Sequence, residues 1–361
     1  EVASRVSLAA IVPIVVLAFP VGAGLIGVLL PAFGYLPALG GRSLSLDPWA
    51  RLFAEPGITR SLGLSFFTGL ATAGLSLATV LLFLGAYSGT RFLAVMRRLI
   101  SPLLAVPHAA AAFGFAFLIA PSGLLIRAVS PELTGWLRPP DVLILNDPDG
   151  LAMMAGLVMK EIPFLLLMSL AALPQIEADA RLRVARGLGY APLAAWLKVV
   201  VPALYPLLRL PVYAVIAYAS SVVDVALILG PSNPPPLSVA VLRWQNDPDL
   251  ALRFVASAGA LTQAGVTFSA LLSWRLGEIV VSLMARDRLV DGRRRLAEPL
   301  LAGLGAGGMG LAAVVSLAGL VGLAIASVAG YWRFPDALPR DLTLAHWTAG
   351  ILSASGPMLT T

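Results

Sequence analysis

The chain has 361 residues, 58% of them hydrophobic and 12% charged, with a mean hydropathy of +0.89. An ordinary soluble domain carries about 25% charged residues, so the apolar excess must face lipid. The net charge of +6 sits mostly in short loops on one side of a membrane rather than in a continuous patch, which excludes a nucleic-acid surface, and the absence of cysteine excludes a disulfide, a thiolate metal site and a cysteine nucleophile.

Apolar runs of about 20 residues mark membrane spans. Seven are expected, at Ala9–Leu30, Ser61–Tyr87, Leu99–Ala120, Gly150–Leu173, Ala203–Leu229, Val255–Leu276 and Leu300–Ala329, and an eighth apolar stretch begins near Ile351. The first run is too long for a signal-peptide core and lacks a small-residue cleavage site; residue 1 is Glu rather than Met, so the true N-terminus is expected to lie upstream. Arg91, Arg97 and Arg98 follow the second span, Arg181, Arg183, Arg186 and Lys198 the fourth, and Arg286, Arg288, Arg293, Arg294 and Arg295 the sixth. The opposite loops mix Arg127 and Arg138 with Glu132, Asp141, Asp147 and Asp149. This bias puts the N-terminus and the loop around Gly189 in the cytoplasm.

Two short patterns recur. Gly34-Tyr35 follows the first span and Leu44-Ser-Leu-Asp-Pro-Trp49 precedes the second; Gly330-Tyr331 follows the seventh and Leu342-Thr-Leu-Ala-His-Trp347 precedes the eighth stretch. With six spans between them, both copies enter the membrane in the same sense, as in a parallel repeat. Residues 1–290 therefore read as one domain and 291–361 as the opening of a second copy.

Few residues in the spans carry chemistry. Lys160 and Glu161 lie inside the fourth span, where a charge at bilayer centre costs at least ~2.5 kcal/mol and normally faces the bundle interior or water. They read either as a gate or translocation-path pair, or as residues near a span end that reach interfacial water or a neighbouring helix; Pro163 just after them loosens the helix. Asp224, in the fifth span, lines a pathway or takes a hydroxyl such as Ser220 or Ser221. Arg209 reads as snorkelling to the cytoplasmic surface. His108 and His346 have no carboxylate at ligand spacing and read as packing residues, so no metal site is expected. The run Gly303-Leu-Gly-Ala-Gly-Gly-Met-Gly310 lacks the Lys-Ser/Thr of a phosphate loop and reads as close helix packing through small residues. Trp136, Trp274, Tyr331 and Trp332 read as interfacial belt residues.

The most specific stretch is Arg183-Val-Ala-Arg-Gly-Leu-Gly189-Tyr-Ala-Pro-Leu-Ala-Ala-Trp-Leu-Lys-Val199-Val-Val-Pro202. A helix reaches Leu188, Gly189 stops it, Pro192 starts a second short helix, and Leu193, Trp196, Leu197 and Val200 recur at helical spacing before lipid is re-entered near Pro202. This stretch resembles the cytoplasmic "EAA" loop of binding-protein-dependent ABC importer permeases: Glu-Ala-Ala, three residues, Gly, nine residues, Ile, one residue, Leu-Pro. Ala185, Gly189, Val199 and Pro202 fall on that frame, whereas Arg183 and Val184 replace Glu and Ala, and Val201 replaces Leu. Ser61-Leu62, Pro107, Pro163 and Leu229-Gly230-Pro231 also stand where the family places such residues.

The resemblance implies an all-α, polytopic fold: a six-helix permease domain followed by the start of a second copy, like the N-terminal part of the fused thiamine and ferric-iron importers. It implies a small solute delivered by a periplasmic binding protein across a bacterial inner membrane. It also implies cytoplasmic ATPase subunits, two of them, that bind the ATP; this chain needs no cofactor and is no enzyme. The coupling residues carried over are Arg183, Ala185, Arg186, Gly189, Pro192, Val199 and Pro202, and the candidate pathway residues are Lys160, Glu161 and Asp224. Two other classes stay open from the residues alone. An ion-coupled secondary transporter would need midplane acids and usually inverted repeats. A membrane-embedded enzyme would need a convergent nucleophile–base or metal set, and neither histidine has a partner nearby in sequence.

Overall fold

The computed structural model describes residues 8–348, where regular structure is helical apart from two isolated bridges, Leu36–Gly41 and Ala329–Leu342. The first half contains α1 (Leu8–Ala32), α2 (Asp47–Ala54), α3 (Ile58–Tyr87), α4 (Arg91–Ile100), α5 (His108–Ile119), α6 (Leu124–Val129) and α7 (Leu151–Ala172). The second contains α8 (Ala178–Gly187), α9 (Pro192–Ala195), α10 (Val201–Ser221), α11 (Asp224–Leu229), α12 (Leu237–Gln245), α13 (Leu252–Val290) and α14 (Glu298–Ser327). Among the described residues, six segments are long and apolar enough to cross a membrane: Ile58–Tyr87, His108–Val129, Leu151–Ile176, Pro192–Ser221, Leu252–Asp287 and Glu298–Ser327. α1 adds a shorter apolar stretch, Ala18–Ala32. The polytopic all-helical expectation holds; the stretch from Ile351 lies outside the described residues.

Three expected spans are corrected. The third does not run from Leu99. α4 is a separate amphipathic helix, a tight turn occupies Ser101–Ala105, and α5 begins after Pro107, which cannot donate into a preceding turn. α4 sorts its residues by face: Met96 and Ile100 are buried in the core, Phe92, Val95 and Leu99 are exposed, and its arginines are exposed too. The fifth span breaks at Val222-Val223, so Asp224 opens a short separate helix. The sixth extends well past Leu276, to Val290.

α3 is the central helix and packs against α7, α10, α13 and α14. Over its first two-thirds the buried side is mostly small and hydroxylated, with Ser61, Ser65, Thr68, Gly69, Thr72, Ala73 and Ser76, and from Leu77 to Leu84 it is larger and apolar. In lipid, where apolar surface gives helices no reason to separate from the tails, small residues allow backbones to approach and gain dispersion contacts. A Cβ on Gly69 would lie 2.9 Å from Ser220 Cβ and 3.0 Å from the Ile216 carbonyl oxygen. Ser65 Oγ accepts the Leu237 N–H at 3.0 Å, and Ser76 Oγ donates to the Val158 carbonyl at 3.3 Å. α14 uses the same device: Gly305 meets the backbone of Phe83 and Leu82, and Gly319 meets that of Gly114. The glycine run 303–310 is thus helix, with Gly305 and Gly308 against α3.

The helix ends segregate. The turns after α3, α7 and α13 meet at one end, tied by Lys198–Asp291 and by the fit of Gly85 against Leu193 and Trp196. At the other end Arg60 bridges Asp149 at 2.9 Å, Asn146 Nδ2 donates to the Gly230 carbonyl, and Gly57 sits on Pro234. The Arg-rich loops thus share one end of the bundle.

Arg127 holds that second end together. It is 8% exposed, donates to the carbonyls of Ser122, Arg333 and Asp336 at 2.7, 3.1 and 2.9 Å, and lies 5.1 Å from the Trp332 ring centroid. Arg127→Met is expected to leave the Ser122 carbonyl unpaired, at about 1–3 kcal/mol if it stays buried, and to take one of two donors from the Arg333 and Asp336 carbonyls, which keep the Asp336 N–H and Trp332 Nε1. Limited proteolysis between Gly330 and Arg340 should rise several-fold; an unchanged cleavage rate would show that the loop is held by other contacts. Trp332 Nε1 donates to the Asp336 carbonyl, and Trp274 Nε1 donates to the Tyr205 hydroxyl across a helix interface.

Candidate functional site

The Gly189 stretch folds as a helix, a left-handed glycine and a second helix. α8 buries Ala178, Leu182 and Ala185, spaced at three to four residues, and exposes Arg183, Val184, Arg186 and Leu188. Its end is a Schellman turn: Gly189 has φ +85°, its N–H bonds Arg186 O at 2.9 Å, and the Tyr190 N–H bonds Ala185 O at 3.1 Å. Pro192 opens α9, where its missing donor would be unpaired anyway. Leu193, Trp196 and Val200 are fully buried in the main core, while Tyr190, Leu197 and Val199 pack partly against it. The second helix is not a separate element, however. A π-turn over Trp196–Val200 carries it straight into α10, with Pro202 in the first turn. The loop is therefore the stiff end of a span.

A partner for this loop comes from a segment the sequence does not connect to it. Lys198 Nζ lies 2.5 Å from Asp291 Oδ1, the Ala191 N–H donates to Arg294 O at 2.9 Å, and Leu193 and Ala194 N–H groups donate to the Glu298 carboxylate at 3.0 and 3.1 Å. The Lys198 ammonium holds the Asp291 carboxyl below the usual carboxylate range, helped by the Arg293 N–H. A depressed pKa means the tie is present at neutral pH and is lost as pH falls through that lowered value. Nothing local flags Glu298, because an acid in a first helical turn reads as serving its own helix.

The candidate pathway residues separate. Lys160 and Glu161 are both buried mid-helix in α7, not at a span end, and diverge as adjacent helical residues must. Lys160 Nζ donates to the Leu103 carbonyl at 2.6 Å, in the turn ahead of α5. Glu161 Oε1 lies 3.2 Å from His108 Nε2, so His108 has a carboxylate partner that spacing alone does not reveal. His108 also packs on Tyr218 with centroids 4.6 Å apart, and Tyr218 donates to Asp224 Oδ1 at 3.4 Å. Glu161 and Asp224 thus belong to one polar row, Glu161–His108–Tyr218–Asp224. Ser220 and Ser221 are not Asp224's partners; they bond Thr267 and the Ala217 carbonyl. Among the described residues no group of three His, Cys, Asp or Glu is placed to hold a metal ion.

A second polar cluster escapes sequence reading. Glu278, on α13, lies 3.1 Å from Arg209 Nε and 2.5 Å from Arg275 Nη1, and accepts the Tyr205 hydroxyl at 2.6 Å. Arg209 therefore pairs across α10 and α13.

No protein-family model matches the chain. It is 32% identical over 263 residues to a protein of Escherichia coli (strain K12) named inner membrane ABC transporter permease protein YnjC, an alignment that covers 72% of this chain. The chain spans about half the length of that curated relative, 49% of it. Six membrane-length apolar helices, a rigid glycine-turned loop at the basic end and this similarity make the chain a multi-pass membrane protein related to the permeases of ABC transporters.

Proposed function

We propose that the chain is the membrane-spanning permease of a binding-protein-dependent ABC importer, with α8 and its Gly189 turn as the surface that takes the ATPase subunits. The observation that carries this reading is the build of the loop. α8 presents Arg183, Val184, Arg186 and Leu188 outward, with Val184 66% and Leu188 59% exposed, while its other face and α9 are anchored in the core. A mixed apolar and basic patch on a rigid mount suits a protein partner better than a lipid surface, which would favour a helix with its apolar and basic residues on opposite faces. The end bearing this loop is then cytoplasmic and the periplasmic binding protein docks at the opposite end, in a bacterial inner membrane. Residues 1–290 form the first permease domain and 291–361 open the second.

ATP is bound by the ATPase subunits, and the solute is a small molecule selected by the binding protein. An ATPase can move the permease only through contacts that differ between its two states. Ala185, Pro192, Val199 and Pro202 keep the loop stiff, so displacement of α8 reaches α10 without slack. The row from Glu161 to Asp224 faces the path the solute takes.

The chain contains no cysteine, so a single introduced thiol reports one site. Val184→Cys and Leu188→Cys are expected to react freely with a maleimide in the permease alone and to lose most of that reactivity once the ATPase subunit is bound. Leu133→Cys, 82% exposed at the opposite end, should react equally in both states. Equal labelling of Val184→Cys with and without the ATPase would remove the coupling assignment.

A further inference from the structure

Four polar contacts run from residues 291–298 to the α8–α9 loop, and each serves a group the loop cannot satisfy itself. The first backbone N–H groups of a helix have no partner within it. The residue ahead of α9 is Ala191, whose side chain has no oxygen to cap them. Glu298 supplies that oxygen from 105 and 104 residues away, to Leu193 and Ala194, and the Arg294 carbonyl takes the Ala191 N–H. Asp291 takes the Lys198 ammonium, whose side chain is 10% exposed. Arg294 also lies against Gly189, where a Cβ would be 3.3 Å from its Nη1. The contacts thus bracket the turn from Gly189 to Lys198.

The other end of this segment is equally fixed. Glu298 opens α14, which packs along α3, α5 and α7, with Gly305 and Gly319 against the backbones of α3 and α5. A push on α8 therefore meets α14 as well as α10. We propose that the segment joining α13 to α14 is a brace for the coupling loop, in which Asp291 and Glu298 are positioning residues that fix the loop to α14. The brace makes the loop's displacement a movement of two membrane helices instead of one. This rests on the coupling role proposed above, and the test separates the two.

The full chain is assembled with its ATPase subunit in nanodiscs, and ATP hydrolysis by the complex is compared with that of the free ATPase. Glu298→Ala should raise amide hydrogen exchange at Leu193 and Ala194 about fivefold or more, as loss of a helix cap does. It should also cut kcat for ATP in the complex severalfold with KM for ATP unchanged; Glu298→Gln, which keeps one acceptor oxygen, should fall between. Lys198→Glu should uncouple in the same way, and adding Asp291→Lys should restore much of the rate. That charge exchange decides the matter if Glu298→Ala fails to fold: restoration supports the brace, and no restoration overturns it. Gly189→Pro is measured alongside. If Gly189→Pro abolishes stimulation while Glu298→Ala leaves it intact, the brace is wrong and the coupling loop stands. If neither substitution changes hydrolysis, both readings fall.

Discussion

Gly189→Pro is expected to insert and fold as the parent does, yet to lose stimulation of its ATPase subunit by about tenfold or more, the factor that 1.4 kcal/mol of lost contact carries. Gly189 sits at φ +85°, and proline is locked near −65°, so the Schellman turn cannot form. Proline also removes the N–H that bonds Arg186 O at 2.9 Å. The end of α8 must then leave its mount, and Arg183, Arg186 and Leu188 move with it. Milder substitutions grade the effect. Gly189→Ala keeps the N–H but carries the left-handed cost of about 1–2 kcal/mol, and Gly189→Asn, a residue that tolerates this region, should lie closest to the parent. Hydrolysis assays on the assembled complex, with insertion checked by size-exclusion profile, measure all three. Full stimulation by the proline variant would mean that the loop is an ordinary interfacial helix.

The second large effect is on stability. Gly319→Leu and Gly305→Leu are each expected to lower the thermal midpoint of the detergent-solubilised protein by several degrees or to prevent folding. A Cβ at Gly319 would stand 2.8 Å from the Gly114 carbonyl carbon, and one at Gly305 would stand 2.6 Å from the Phe83 nitrogen. Both obstacles are backbone and cannot rotate away. Overpacking of this kind costs about 1–3 kcal/mol where side chains can yield, and more where they cannot. Gly307, in the same glycine run, has nothing within 4 Å, so Gly307→Leu is the matched control and should leave the midpoint near that of the parent. Equal midpoints for Gly319→Leu and Gly307→Leu would mean that α14 does not cross α5 at Gly114.

Features that depend on local chemistry are legible along the chain. Apolar runs near bilayer length located the spans of α3, α7 and α14 closely, because desolvation is charged residue by residue along the chain. The Gly189, Pro192 and Pro202 spacing located the loop's turn and helix starts, because a positive φ and a missing donor are properties of those residues alone. Hydropathy averaged over a span's length could not see the breaks before His108 and at Val222-Val223, since an apolar run lies on both sides of each. The pairings, by contrast, come from how the helices pack. Glu161 meets His108 across 53 residues, Arg209 meets Glu278 across 69, and Glu298 caps a helix more than 100 residues upstream. A buried charge must find a partner, but sequence states only that the requirement exists. Which group answers it follows from how small residues let α3, α7, α10 and α14 approach, and that is settled in three dimensions.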